Sequence, residues 1–199
     1  MSRRWLLDLR GKSRALLCLL TLDLTGPRLP SLRSMSTERK LESVWEPPYT
    51  RPPTLEPSPR RLRVIYVDPS TKERITLADT TKGYRVLETS HPPTYYIPPS
   101  DVKLDLLKPN ARSSFCEWKG RASYHDCGNI RARIWSYPDP SPRFRPIKDY
   151  MAFYATSYEC SVDDEKVIPQ EGDFYGSWLT SEITGGKKGF KGGAGTWGW

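Results

Sequence analysis

Proline is the feature that most restricts the fold of this chain, because nineteen prolines are distributed along its 199 residues. Proline lacks a backbone donor and interrupts both helix interiors and central strands. The apolar runs between the prolines are short, and none reaches the roughly 18 residues needed to cross a bilayer. We therefore expect neither a helical bundle nor a membrane span, but a domain of short strands.

The body of the chain alternates between β-prone runs and turn residues. LRVIYV (62–67) and ERITLAD (73–79) flank the turn sequence DPSTK and predict a hairpin. RASYHD (121–126) and IRARIWSY (130–137) predict a second hairpin, turned by a Gly-Asn pair. The pattern predicts a mostly β fold, a single compact domain of twisted antiparallel hairpins arranged as a barrel or a two-sheet sandwich.

One short helix is expected within this domain. The stretch IKDYMAFY places Ile147, Tyr150, Met151 and Tyr154 at helical spacing. The stretch at 100–109 is ambiguous, since its first residues could cap a helical turn while its apolar residues alternate as in a strand.

Composition divides the chain into four parts. They are a targeting or disordered leader at 1–40, a proline-rich extended arm at 41–61, the β domain at 62–168 and a Gly/Trp-rich C-terminal extension at 169–199. Six prolines give the arm an extended, polyproline-like character. Its large residues Trp45 and Tyr49 suggest that it packs on the domain surface.

The charge of +8 is concentrated in the leader. Residues 1–40 hold nine Lys or Arg and three Asp or Glu, whereas residues 41–199 hold twenty-two and twenty. A nucleic-acid partner is not expected, because phosphates dock on a basic folded body. An Arg-rich, acid-poor, amphipathic leader is typical of a mitochondrial or plastid transit peptide. A secretory signal is one alternative; another is translation from Met35, which would leave the protein in the cytoplasm.

The four cysteines contain no Cys-x-x-Cys pair, and only two histidines accompany them. Structural zinc sites use closely spaced ligand pairs, so neither a metal nor another cofactor is expected. Three cysteines in the body cannot all pair internally. Reduced thiols in an intracellular compartment are therefore the expected state.

Four blocks together resemble a known family. In order they are ADTTKGYRVLETSHPPTYYIPPSDVKLDLL, FCEWKGRASY, WSYPDPSP and YMAFY, and they resemble the landmarks of domain of unknown function 427. The resemblance covers about residues 62–168 and implies one compact β domain, similar to folded-sheet domains that bind zinc or small ligands in other families. Those zinc-binding domains use paired cysteines, so a metal-free version is implied here.

A nucleotidyltransferase label is attached to this family, and its chemistry needs a Gly-Ser phosphate turn followed by an Asp-x-Asp metal pair. The sole Gly-Ser, at Gly176 and Ser177, is followed by no such pair. Asp163 and Asp164 are adjacent rather than spaced. This sequence therefore gives the label little support.

The stretch LETSHPPTYYIP contributes the first candidate site residues. Glu88 ends a strand before a turn that two prolines fix. Tyr95 and Tyr96 must point to opposite faces of the next strand, so one of them is expected to face the interior or a pocket. His91 is expected in an exposed loop, with a place in the pocket wall as the alternative.

The remaining candidates lie in the later blocks. Lys119 follows Cys116 by three positions in FCEWKG, and Trp135 and Tyr137 share a strand face. In a functional site, Glu88 would act as a base or charge partner and Lys119 would contact an anion, while the aromatic residues would form the pocket walls. Such a pair of charged residues would allow acid–base catalysis. A surface salt bridge between Glu88 and Lys119 is the structural alternative. Cys116 is a candidate nucleophile, although a buried structural cysteine is commoner.

Two functions remain open, and both need a small-molecule partner. The first is a module that binds a small molecule in an aromatic pocket containing Glu88 and Lys119. The second is a small enzyme, a hydrolase, isomerase or tailoring enzyme, that uses these two residues on a polar substrate. A protein-interaction role for the arm and the extension is a third reading. The residues favour the binding module slightly.

Overall fold

The computed structural model describes residues 40–196 and residue 198. The predicted leader therefore lies outside the described residues except for Lys40, as do Trp197 and Trp199. The strands are β1 (Glu42–Ser43), β2 (Thr54–Ser58), β3 (Leu62–Val67), β4 (Arg74–Thr80), β5 (Gly83–Leu87), β6 (Thr94–Tyr96), β7 (Leu107–Cys116), β8 (Gly120–Cys127), β9 (Ile130–Ser136), β10 (Ala152–Phe153), β11 (Glu159–Val162), β12 (Glu165–Lys166), β13 (Ile168–Pro169), β14 (Trp178–Leu179) and β15 (Ile183–Thr184).

Three short 3₁₀ helices accompany these strands, at Pro99–Asp101, Leu104–Leu106 and Pro142–Ile147. The ambiguous stretch at 100–109 thus forms two helical turns before β7 begins. Between residues 40 and 196 the chain has no α-helix. The mostly β fold is therefore confirmed.

Three open sheets make up most of the unit. Two have four strands, in the orders β10-β9-β8-β7 and β12-β11-β3-β4, and one has three, β2-β5-β6. Two-stranded pairs, β1-β15 and β13-β14, complete the described part. Both predicted hairpins form, β3 with β4 and β8 with β9, each antiparallel. None of the sheets formed by the described residues closes into a barrel, so that form of the prediction is wrong.

The apolar residues form two large cores that meet at β6. The first is built mainly by β3, β4 and β11 and includes Leu62, Leu77 and Trp178. The second lies between β5–β6 and β8–β9 and includes Val86 and Phe144. Because side chains alternate along a strand, β6 contributes one tyrosine to each core. This division places the candidate site on the second core.

The helix predicted from the spacing of Ile147, Tyr150, Met151 and Tyr154 is wrong in its position. The 3₁₀ helix ends at Ile147, Asp149 has a left-handed φ of 61°, and β10 follows. Met151 exchanges two backbone hydrogen bonds with Ile97, at 2.8 and 2.9 Å. Strand pairing therefore uses the backbone groups that a helix would need, and the helical spacing reflects burial against different elements.

The proline-rich arm takes part in the fold. Its strand β2 pairs with β5 over five residues. Tyr49 is buried in a small third core with Leu87 and Ile183, and Trp45 Nε1 donates a 2.9 Å hydrogen bond to the Gly189 carbonyl. The two large residues thus anchor the arm, as their size predicts.

Candidate functional site

A cleft of about 480 Å³ opens between β5–β6, the β7–β8–β9 part of a four-stranded sheet and the loop between β13 and β14. Small-molecule sites usually have volumes of about 300–1,000 Å³. The aromatic residues that line this cleft are Tyr96, Phe115, Trp118, Tyr124, Trp135, Tyr137, Tyr154, Phe174 and Tyr175. Its walls are therefore largely aromatic.

The tyrosine pair on β6 is divided between the cleft and the core. Tyr95 packs 5.3 Å from the Trp178 ring and does not line the cleft. Tyr96 is fully buried and lines it, with its ring centroid 6.4 Å from Trp135 and 6.3 Å from Tyr137. Of the two candidates, Tyr96 is thus the one at the site.

Both hydroxyls of this pair are buried and have no hydrogen-bond partner among the described residues. Burial raises the pKa of Tyr95 to about 12, and it raises the pKa of Tyr96 further. Both groups are therefore neutral donors near pH 7.

Trp135 and Tyr137 line the cleft from one face of β9 and its continuation. The Trp135 ring lies 4.8 Å from Tyr154 and against Gly176, where an added Cβ would come within 2.1 Å of the indole. A larger residue at 176 would displace the indole. The wall is therefore tightly packed where these residues meet.

Lys119 lies in the short turn between β7 and β8. Ser141 fixes this turn, because its backbone N–H donates to the Lys119 carbonyl at 3.1 Å and its hydroxyl donates to the Trp118 carbonyl at 2.6 Å. Gly120, at φ 99°, closes the turn in a conformation that disfavours other residues. The backbone of Lys119 is thus held in place.

The side chain of Lys119 is buried at the cleft, and the residue is only 8% exposed. Its ammonium lies 5.9 Å from the Tyr137 ring centroid and 5.8 Å from that of Phe144. Among the described residues, no carboxylate lies within ion-pair distance of it, and both Glu88 and Glu117 line the same cleft. Ring faces stabilise the charge only in part.

Glu88 also lines the cleft, but its ionic partner is Arg51 at 3.4 Å. The salt bridge between Glu88 and Lys119, the structural alternative from sequence, does not form. Both side chains of the observed pair are partly exposed, at 36% for Arg51 and 24% for Glu88. Such a pair stabilises the fold by about 0–1 kcal/mol.

His91 is buried beside Glu88, with its ring edge-on to Tyr175 at 4.4 Å. Gln170 Nε2 lies 2.9 Å from His91 Nδ1 and 2.6 Å from the Lys191 carbonyl oxygen. A carbonyl only accepts, so this amide nitrogen is the donor, Nδ1 accepts and the proton lies on Nε2. Burial lowers the pKa of His91 to about 3, which agrees with a neutral ring.

The exposed-loop expectation for His91 is therefore wrong. The residue is 5% exposed because Gln170 and Tyr175, from the C-terminal extension, cover it. Its Nε2 lies 3.9 Å from Glu88 Oε1 at the cleft. The alternative, a place in the pocket wall, matches its position.

Cys116 lines the cleft at the end of β7 and is half-buried. It pairs with Gly120, while His125 lies five residues further along β8, roughly 16 Å away at about 3.3 Å per residue. His125 cannot act as a base for this thiol.

Several cleft residues were missed from the sequence. Arg112 lies over the Tyr124 ring at 4.5 Å, and both line the cleft. Phe174, Tyr175 and Lys191 also line the cleft and form the wall contributed by the C-terminal extension. The sequence signal for this wall is the aromatic pair directly before Gly176 and Ser177.

The Gly-Ser turn and the acidic residues do not form a metal–phosphate site. Ser177 hydrogen-bonds Thr94 through their hydroxyls at 2.8 Å, and Asp163 pairs with Arg60 away from the cleft. Over the described ranges, no group of three or more His, Cys, Asp or Glu could hold a metal ion. In the same residues no helix is long and apolar enough to span a membrane.

These features define the class of protein as a small β domain with an aromatic cleft. Residues 54–167 match the model of the family described as Domain of unknown function (DUF427). The match covers more than half of the chain, so the chain belongs to this family, as its sequence blocks predict. The sequence matches no curated protein. The match begins within β2 and ends before Phe174, Tyr175 and Lys191, so one cleft wall comes from outside it.

Proposed function

We propose that this protein binds a small organic molecule with a planar, apolar part in the aromatic cleft. The observation that carries the proposal is that two residues lining the cleft have buried donors without partners in the described part of the chain. Tyr96 Oη and Trp118 Nε1 are both buried without hydrogen-bond partners among the described residues. A buried polar atom left unpaired costs about 1–3 kcal/mol, and a bound ligand could recover that energy.

The aromatic walls support the same reading. Rings at 4.8–6.4 Å separations and near-perpendicular or tilted angles hold Tyr96, Trp135 and Tyr154 in fixed orientations. A preformed wall binds a rigid ligand with little loss of side-chain entropy. Flat apolar groups fit such walls because ring faces and edges attract one another.

An enzyme is the second candidate, and one contact favours it. Glu88 Oε1 lies 3.9 Å from His91 Nε2 at the cleft. There a carboxylate could accept a proton from a substrate and a neutral imidazole N–H could donate one. Arg51 competes for the same carboxylate. Acid–base chemistry is therefore allowed, but the aromatic walls favour binding.

Native mass spectrometry of the full chain, purified from cells without denaturation, tests the proposal. We expect a mass excess over the denatured protein that is reduced in Trp118→Phe. Trp45→Phe is the matched control, because Trp45 Nε1 donates to a backbone carbonyl and the residue does not line the cleft.

An excess that is absent, or that falls equally in both variants, would contradict tight binding at the cleft. A turnover screen with metabolite mixtures then tests the enzyme candidate. Consumption of a substrate by the wild type but not by Glu88→Gln would favour that candidate. Equal consumption by both would remove Glu88 from the chemistry.

A further inference from the structure

We infer that the ligand of the cleft is a small aromatic carboxylate whose acid group contacts Lys119. This inference rests on the proposed function and names the ligand class. Its basis is the charge balance of the cleft and the position of the Lys119 ammonium.

The cations of the cleft are paired with ring faces. Arg112 lies 4.5 Å from the Tyr124 ring centroid, and Lys119 lies 5.9 Å from that of Tyr137. The Lys191 ammonium lies 5.9 Å from the ring centroid of Tyr175, a third tyrosine that lines the cleft. Unlike a carboxylate partner, the ring contacts of Lys119 leave its positive charge available to an anion.

Lys119 is the most buried of these three cations, and its backbone is held on a fixed turn. Removing an ammonium from water without a counter-charge is costly, and two ring faces repay only part of that cost. Of the two acidic residues at the cleft, Glu88 pairs with Arg51, and neither lies within ion-pair distance of the ammonium among the described residues. A carboxylate on the ligand would supply the missing charge.

Two further donors belong to residues that line the cleft. Trp118 Nε1, adjacent in the chain, and Tyr96 Oη both lack partners in the described part and both residues line the cleft. A carboxylate accepts several hydrogen bonds, and those from charged donors are the stronger ones. The ring of the ligand would then pack against Trp135 and its aromatic neighbours.

The test uses acid–amide pairs of the same shape, benzoate with benzamide and 2-naphthoate with 2-naphthamide. Binding to the full chain is measured by isothermal titration calorimetry at constant pH 7 and ionic strength. We expect at least one acid to bind about tenfold or more tightly than its amide, the ratio typical of a charged hydrogen bond. Lys119→Met should abolish this preference while keeping the amide affinity.

Lys103→Met is the matched control, because Lys103 is exposed, lies outside the cleft and carries the same charge. The control should keep the full preference for the acid. Thermal unfolding of each variant establishes that it is folded. If Lys119→Met does not fold, Lys119→Gln replaces it, and the acid–amide ratio of the wild type still tests the ligand class.

The outcomes separate the two proposals. Equal affinity of acid and amide would overturn the ligand class and leave the binding function standing. A preference that survives in Lys119→Met would overturn the role of this residue. Tighter binding of phenyl phosphate than of benzoate would overturn the carboxylate assignment. If no member of the panel binds with a Kd below about 1 mM, the ligand class is overturned, and native mass spectrometry decides the proposed function separately.

Discussion

Substitutions of the adjacent residues Tyr95 and Tyr96 distinguish the effect of a buried hydroxyl on stability from its effect on ligand binding. Each hydroxyl is buried without a partner in the described structure, but only Tyr96 lines the cleft. Removing an unpartnered buried hydroxyl recovers its desolvation energy, about 1–3 kcal/mol, less the contacts of the lost oxygen. We expect Tyr95→Phe and Tyr96→Phe each to raise the free energy of unfolding by about 1 kcal/mol.

For a protein of this length, 1 kcal/mol corresponds to a rise in Tm of about 2–4 °C. Both rings keep their aromatic contacts, Tyr95 with Trp178 and Tyr96 with Trp135, so packing changes little. Urea unfolding followed by tryptophan fluorescence and far-UV circular dichroism measures the change. The two variants should be similar without ligand.

The two variants should differ once a ligand is bound. A ligand that hydrogen-bonds Tyr96 should stabilise Tyr96→Phe less than Tyr95→Phe or the wild type, as read from the thermal shift. A loss of 1 kcal/mol or more in the ligand-free Tyr96→Phe variant would refute the reasoning, because it would mean that the hydroxyl already has a partner.

Three further predictions concern the surroundings of the cleft. Between pH 7 and pH 5 the wild type should lose about 2 kcal/mol more stability than His91→Gln, because the folded-state pKa of about 3 lies below the ordinary 6.5 and the unfolded chain takes up the proton first. Gly176→Ala should lower the free energy of unfolding by about 1–3 kcal/mol, since the new Cβ collides with Trp135. Glu88→Gln should change it by less than about 1 kcal/mol, because the pair with Arg51 is partly exposed.

Urea unfolding at each pH checks all three. Parallel pH dependences of the wild type and His91→Gln would contradict a buried neutral imidazole. Gly198→Ala, where an added Cβ meets nothing within 4 Å, should stay within about 0.5 kcal/mol and is the control for Gly176→Ala. A loss above about 2 kcal/mol in Glu88→Gln would show that the carboxylate has a structural role beyond a surface pair.

The hairpins could be predicted because each is specified by residues that lie close together in the chain. Alternation in LRVIYV and ERITLAD specified β3 and β4, and Gly128 with Asn129 specified the turn between β8 and β9. The spacing of Ile147, Met151 and Tyr154 misled, because residues buried in two different cores can fall at helical intervals by chance. Periodicity records burial but does not identify the element that buries a residue.

The candidate site was predictable in part for the same reason. Alternation along β6 required that Tyr95 and Tyr96 face opposite ways, but which face carried the cleft depended on where β8 and β9 packed. The ionic partner of Glu88 could not be predicted either. Arg51 precedes it by 37 positions in the chain, in the proline-rich arm.

The sequence by itself determined the family, the β class and the positions of the hairpins, since each depends on residues close together in the chain. Only the tertiary structure decided that His91 is buried, that Lys119 lacks a carboxylate partner in the described part and that residues 174–177 complete the cleft. The physical reason is that burial and charge pairing are set by distant segments whose contacts form only when the sheets pack together.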